Sequence, residues 1–341
     1  MISQRTIFSP FAALLTCVGI ATACLWDKDT IADELQTRAT QYDLVMGQFP
    51  SHGKAYYQKR ISILEPEFNR GRISWDERND LAVAYIRTEQ FAKAFPILEG
   101  NLKTKPNDYH TLSNLGVFYK KTGDFTNAVV YMQRALQIKP EGHMGLGDWY
   151  LKRLEWSKRY ELGAGEKPDT NFLGEKYSAT KLEWLMHNKV DDSVKQRAQY
   201  LTKLIKNDRH FSDGYLVMGD LFWQIGDLNL AMRCYQHAGH LNHPNPEALV
   251  RRIDAIIYHW DYKLYNEKQK VSKLEDRRAG QKKIFLTELK QVEQWLSDFH
   301  AAEAQLVQLG KTPTFDETSA RNKTKRFRPE GKATAKENRR R

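Results

Sequence analysis

The chain has 341 residues, of which 41% are hydrophobic and 28% charged, with 20 glycines and 11 prolines. That balance supplies enough apolar side chain for a core and excludes wholesale disorder, a fibrous repeat and a low-complexity protein; three cysteines exclude a disulfide scaffold. The net charge of +11 is lopsided, because residues 311–341 hold 11 Lys or Arg against four acids and the other 310 residues carry only +4. The basicity belongs to a tail, so it is no argument for a nucleic-acid-binding body.

From Thr6 to Trp26 there is no charged residue, with Arg5 in front and Asp27 behind. One cation, the apolar run Phe11-Ala12-Ala13-Leu14-Leu15 and small Ala21 and Ala23 predict a secretory signal over residues 1–23, cleaved after Ala23. The same string resembles a relaxed bacterial lipobox, with Ala21 where Leu is usual; Cys24 would then be lipidated and become the new N-terminus. An uncleaved membrane anchor or an apolar first helix are the plainer alternatives; Ser9, Pro10, Thr16, Gly19 and Thr22 make the stretch a poor span. Residues 24–74 follow as an N-terminal helical segment, with helices expected over Thr30–Met46 and Ser51–Leu64 and a break at Gly47 and Pro50.

Shifting the sequence against itself by 34 residues aligns Leu81, Ala82, Tyr85, Ala94, Leu98 and Pro106 with Leu115, Gly116, Tyr119, Ala128, Met132 and Pro140. Another copy carries Met218, Gly219, Phe222, Ala231, Tyr235 and Ala238, followed by Pro244. Small residues at fixed places let paired helices approach closely, and the aromatic and large apolar residues fill the wedge between them. Thr122-Gly123-Asp124 and Ile225-Gly226-Asp227 supply the turns, with Gly as the left-handed exit. Asn101 stands where the pattern wants Ala, which makes the first copy the weakest.

The pattern resembles the tetratricopeptide repeat, and implies an all-α solenoid of antiparallel helix pairs. Two repeats fall in 75–142 and one in 212–245. Between them, 143–211 reads as a degenerate repeat, with helices over Met144–Lys158 and Ser193–Asn207 split by an insertion at about 160–190. Gly163-Ala164-Gly165 and Lys167-Pro168-Asp169 mark that insertion as loop, a place where solenoids often carry recognition. Capping helices are expected over 246–309, ending in a long amphipathic helix through Phe285, Leu289, Val292, Leu296, Phe299 and Leu306, with a projecting helical hairpin as one expectation. Residues 310–341 follow as a disordered basic tail.

The resemblance also implies a function: binding a protein or peptide in a concave groove lined by the first helix of each pair. The matching positions are Asn79, Val83 and Arg87; Ser113, Val117, Lys120 and Lys121; and Leu216, Asp220, Trp223 and Gln224. The Lys/Asn set with which chaperone-binding members hold a terminal carboxylate is not reproduced here. The stretch Cys24 to Thr30 resembles the mature start of uncharacterised bacterial secreted repeat proteins, which suggests a periplasmic or envelope address.

Cys234, His237, His240 and His243 stand three apart and invite a metal reading. Steps of three on a helix turn each side chain back by about 60°, so four such residues fan out and do not converge. The expectation is a buried Cys234 with surface histidines and no metal. Gly145-Leu146-Gly147 lacks the third glycine of a dinucleotide loop. No nucleophile elbow or zinc-protease helix is present, so neither an enzyme nor a cofactor is expected. The reading is an exported interaction module whose tail meets an anionic surface; its rival is a cytosolic adaptor whose tail binds nucleic acid.

Overall fold

A computed structural model describes residues 37–142, 145–160, 167–177, 191–260 and 270–329, with side chains of 270–272 left aside. The expected signal 1–23, Cys24 and most of the insertion lie outside the described residues. Thirteen helices and no strand are present among them. They are α1 Gln41–Met46, α2 Lys54–Asn69, α3 Trp75–Arg87, α4 Phe91–Thr104, α5 Tyr109–Lys121, α6 Phe125–Ile138 and α7 Gly147–Tyr160. After the insertion come α8 Asp192–Asn207, α9 Ser212–Gln224, α10 Leu228–His240, α11 Pro246–Trp260, α12 Lys270–Gln308 and α13 Phe315–Arg321.

The pairs α3–α4, α5–α6 and α9–α10 pack as the 34-residue register demands. Caps set their starts: Ser74 and Glu77 form a reciprocal box on α3, while Asp124 and Asp227 accept the backbone N–H of Asn127 and Leu230. Close approach is real at Gly219, where an added Cβ would sit 2.4 Å from the Tyr235 ring. Ala94, Ala128 and Ala231 are fully buried at the matching position of the second helices. In the split repeat, Trp149 of α7 meets Tyr200 of α8 edge to face at 5.3 Å.

The first repeat departs from the pattern twice. Glu89 takes a left-handed φ of 62° where Gly123 and Gly226 have 82° and 83°. Asn101 is wholly buried, and neither amide atom has a hydrogen-bond partner among the described residues. A Cβ in that conformation and an unsatisfied buried amide each cost on the order of 1 kcal/mol or more. Glu89→Gly and Asn101→Ala should therefore each raise stability by about 1 kcal/mol, and together by about 2, read from urea denaturation. A loss in either variant would mean that these positions are doing something other than closing the helix pair.

The two ends of the described chain meet. Helix α12 runs back from α11 past α10 to α2. There the Glu303 carboxylate, fully buried, lies 2.6 Å from His52 Nδ1 and accepts the Gly53 N–H at 2.8 Å. His300 Nε2 donates to the Ser51 carbonyl at 3.0 Å, and the His52 ring is sandwiched between Tyr56 and Phe315. The long helix is thus tied to the first described helices rather than standing out as a free hairpin. Helix α1 packs on α10 and α8, with the His237 ring donating to the Val45 carbonyl at 2.6 Å.

The tail needs a correction. Disorder was expected from Gly310 onward, but residues 314–329 are ordered and docked. Thr314 and Glu317 form a capping box on α13, and Asn322 donates to the Trp295 carbonyl. Phe327 leans on Tyr42 at 6.1 Å, the Arg326 guanidinium lies 5.3 Å over Trp295, and Arg328 Nη2 donates to Asp43 at 3.1 Å. The reason is complementarity: Asp43 is fully buried and takes both Arg326 and Arg328. Residues 330–341 lie outside the described residues.

Candidate functional site

The groove positions are placed together on the first helices, but they are not open. Asn79, Val83, Ser113, Val117, Leu216 and Trp223 are all buried. The Asn79 carbonyl oxygen accepts from Thr111 at 3.2 Å and Asn114 at 3.4 Å, tying α3 to α5. Arg87 lies 5.4 Å over Tyr57, and Asp220 is held by Arg252 at 2.7 and 2.8 Å. Lys121 alone of the set is exposed; Gln224 is half-buried. Most of the positions expected to line a concave groove are thus buried by the chain itself.

Part of the cover is the insertion. Residues 167–177 fold back as extended chain with one bridge between Thr170 and Lys176, and they pack on α7, α9 and α11, the first helices of three successive pairs. Phe172 sits between Trp149 and Phe211 at 5.6 and 5.1 Å, and the Trp156 indole N–H donates to the Thr170 carbonyl. Tyr177 faces Arg252 at 5.7 Å.

One carboxylate fixes this segment. Asp213, fully buried in the first turn of α9, accepts the Phe172 N–H at 2.6 Å, the Tyr177 hydroxyl at 2.5 Å and His243 Nε2 at 3.0 Å. His243 Nδ1 accepts from the Asn245 N–H, which leaves the proton on Nε2 to donate to Asp213. Burial, with the Asp213 charge added, pushes the Tyr177 hydroxyl up, so it stays a donor. Asn245 donates its amide to the Pro168 carbonyl at 2.7 Å and closes the far end.

A second, largely buried cluster joins the first helices of successive pairs. Asp208 Oδ2 lies 2.6 Å from both Lys120 Nζ of α5 and Arg153 Nη2 of α7. Burial alone would raise the Asp208 carboxyl, but Arg153 and Lys120 outweigh it and hold it well below the usual range. Lys120 goes the other way: burial, reinforced by the neighbouring Arg153 charge, brings it down to about 8. None of Asp208, Arg153, Asp213 and Tyr177 was singled out from the sequence. Asp213 sits in the first turn of α9, where an acidic residue has an ordinary explanation in the helix dipole that hides its longer-range role, and Asp208 is the C-cap of α8, in a short connection that carries no periodicity.

The metal candidates separate. His237 is buried beside Tyr215, and burial brings its imidazole down to about 4. His243 is buried on Asp213, while His240 is exposed; two of the three histidines therefore correct the expectation of a surface row. Each buried ring spends a nitrogen on a specific partner, so they point to different neighbours. Cys234 is a buried thiol, raised by burial. Among the described residues no group of three His, Cys, Asp or Glu could hold a metal ion, and no helix is long and apolar enough to cross a membrane.

Residues 109–141 and 212–238, which are α5–α6 and α9–α10, match the family model described as tetratricopeptide repeat. The fold is a tetratricopeptide-type α-solenoid. No curated protein matches the chain. The repeats support a protein–protein interaction module, and residues 167–177 of the chain lie on its first helices α7, α9 and α11.

Proposed function

We propose that the protein is an exported interaction module of a bacterial envelope, whose α7–α9–α11 face holds an extended, aromatic-anchored segment of a partner protein. The observation that carries this is residues 167–177: the face already holds extended chain by a main-chain N–H on Asp213 and by Phe172 and Tyr177 in side-chain pockets. A partner segment with two aromatics at that spacing would use the same points, and tetratricopeptide proteins are in general non-catalytic scaffolds. The test replaces 167–177 by a Gly/Ser linker and adds a synthetic peptide of that sequence. The linker variant should bind it saturably and the intact chain should not, with a Phe172→Ala peptide at least about tenfold weaker for loss of a buried aromatic. No binding by the linker variant, with its helical circular dichroism intact, would reject the reading.

Export rests on the uncharged stretch from Thr6 to Trp26 and on Ala21 and Ala23 ahead of Cys24. The mass of the N-terminus in cells reads cleavage after Ala23 and lipidation of Cys24 together. An exported chain rarely meets nucleic acid, and Arg326 and Arg328 are engaged by Asp43. Lys332, Lys336, Arg339, Arg340 and Arg341 are the cations we assign to an anionic surface.

A further inference from the structure

Where α10, α11 and α12 diverge, a cavity of about 430 Å³ opens to the surface. Leu249 and Ile253 of α11 and Phe285 and Leu286 of α12 form its apolar walls. Its origin is visible in the sequence: Gly239 of α10 and Ala279 of α12 line it, so the side-chain volume that would fill the junction is missing. The described lining includes three basic residues, His240, Arg278 and Lys282, and no aspartate or glutamate. Arg278 is paired with Asp254 at 3.1 Å, while His240 and Lys282 stand exposed at the mouth. Val250 and Leu286 remain 36% and 40% exposed along the same opening, although both are large and apolar.

We propose that this cavity binds a single-chain anionic amphiphile, with an alkyl tail between α11 and α12 and a carboxylate or comparable anionic head at Lys282 and His240. The volume falls in the range of small-molecule sites, about 300–1,000 Å³, and the lining has the usual make-up of mostly apolar wall with a few convergent polar groups. A recess walled by three helices suits one flexible chain better than the flat contact of a protein surface. The charge at the opening selects the head group: Arg278 already has Asp254, and a cationic amphiphile would meet Lys282 with no acid among the lining residues to offset it. The site is independent of the segment-binding face proposed above, because it lies behind α10 and uses neither Asp213 nor residues 167–177.

The probe is dodecanoate, kept below its micelle concentration and titrated into the full chain by calorimetry, with dodecyltrimethylammonium as the charge control. Gly239→Leu is the blocking variant. A Cβ at Gly239 meets only Leu249 Cδ1, at an ordinary 3.6 Å, so leucine fits the helix and fills the cavity; it is also the better helix former. Lys282→Glu reverses the charge at the mouth. Saturable binding of one dodecanoate is expected, at least about tenfold weaker in Gly239→Leu because the tail loses its space, and about fivefold weaker in Lys282→Glu. The thermal midpoint of Gly239→Leu should be unchanged or higher, which separates blocking from unfolding. Equal binding of the cationic amphiphile, unchanged binding in Gly239→Leu, or no saturable binding of dodecanoate would each overturn the proposal. So would binding at this site of an acidic helical peptide with no binding of dodecanoate.

Discussion

Asp208→Asn should lower the stability of the protein by about 3 kcal/mol or more, because it removes the negative charge of the carboxylate on which Lys120 and Arg153 converge, each at 2.6 Å. Both cations are largely screened from solvent, and removing their counter-charge leaves two uncompensated positive groups side by side. Lys120→Met should be far milder, within about 1 kcal/mol, since Arg153 keeps Asp208 paired and the methionine fills the stem's volume without a charge to desolvate. The asymmetry is the test, read from urea unfolding of the two variants beside the parent chain. Equal losses would mean that Lys120 contributes its charge to stability, contrary to its burial.

The same pair sets a pH signature. Lys120 titrates near 8 in the folded protein against an ordinary 10.5, so between those values the unfolded chain binds the extra proton. Stability therefore rises with pH across that window for this group, and the gain is absent in Lys120→Met. Asp208 runs oppositely in acid: its carboxyl is held below its ordinary 3.8, so its contribution is complete above that value and is lost as pH falls further.

Asp213→Ala should cost about 3–5 kcal/mol, and the loss should be felt first in the insertion. The substitution strands the Phe172 N–H, the Tyr177 hydroxyl and His243 Nε2–H in a site with no access to water. Proteolysis separates this from a general loosening. The parent should resist cutting within 167–177, whereas the variant should be cut there at protease levels that leave α5–α6 intact, because local opening has become cheap. First cuts within α5–α6 would instead mean that Asp213 supports the solenoid as a whole.

How far the sequence could be read differs between the repeats and the face they present. The register Leu115, Gly116, Tyr119, Ala128 and Met132 places α5 and α6 on either side of the turn Thr122-Gly123-Asp124, as observed, because each position answers to its immediate helical neighbours. The turns were legible for the same reason, Gly123 and Gly226 being local requirements of backbone conformation. The groove was not. Val83, Val117 and Leu216 sit at positions that a regular solenoid leaves for a partner, and nothing in their own repeats says that they are covered. Phe172 and Tyr177 lie in a stretch without periodicity, so their role as anchors has no local signature. The tail misled in the same way: its composition reads as solvated, yet Arg326, Phe327 and Arg328 find a buried carboxylate and an aromatic surface more than 280 residues away in the chain.

By itself the sequence determined the class of fold, the helix pairs and their turns, since helix periodicity, caps and small-residue contacts act over a few residues to one repeat. Only the tertiary structure decided that α12 returns to α2 through Glu303, His52 and Gly53, that residues 167–177 occupy the first helices, and that Asp208 binds two cations from different repeats. Those are buried polar contacts between distant segments. Each is favourable only where every donor finds its acceptor out of water, and that condition is set by the whole packed arrangement and not by any stretch of the chain.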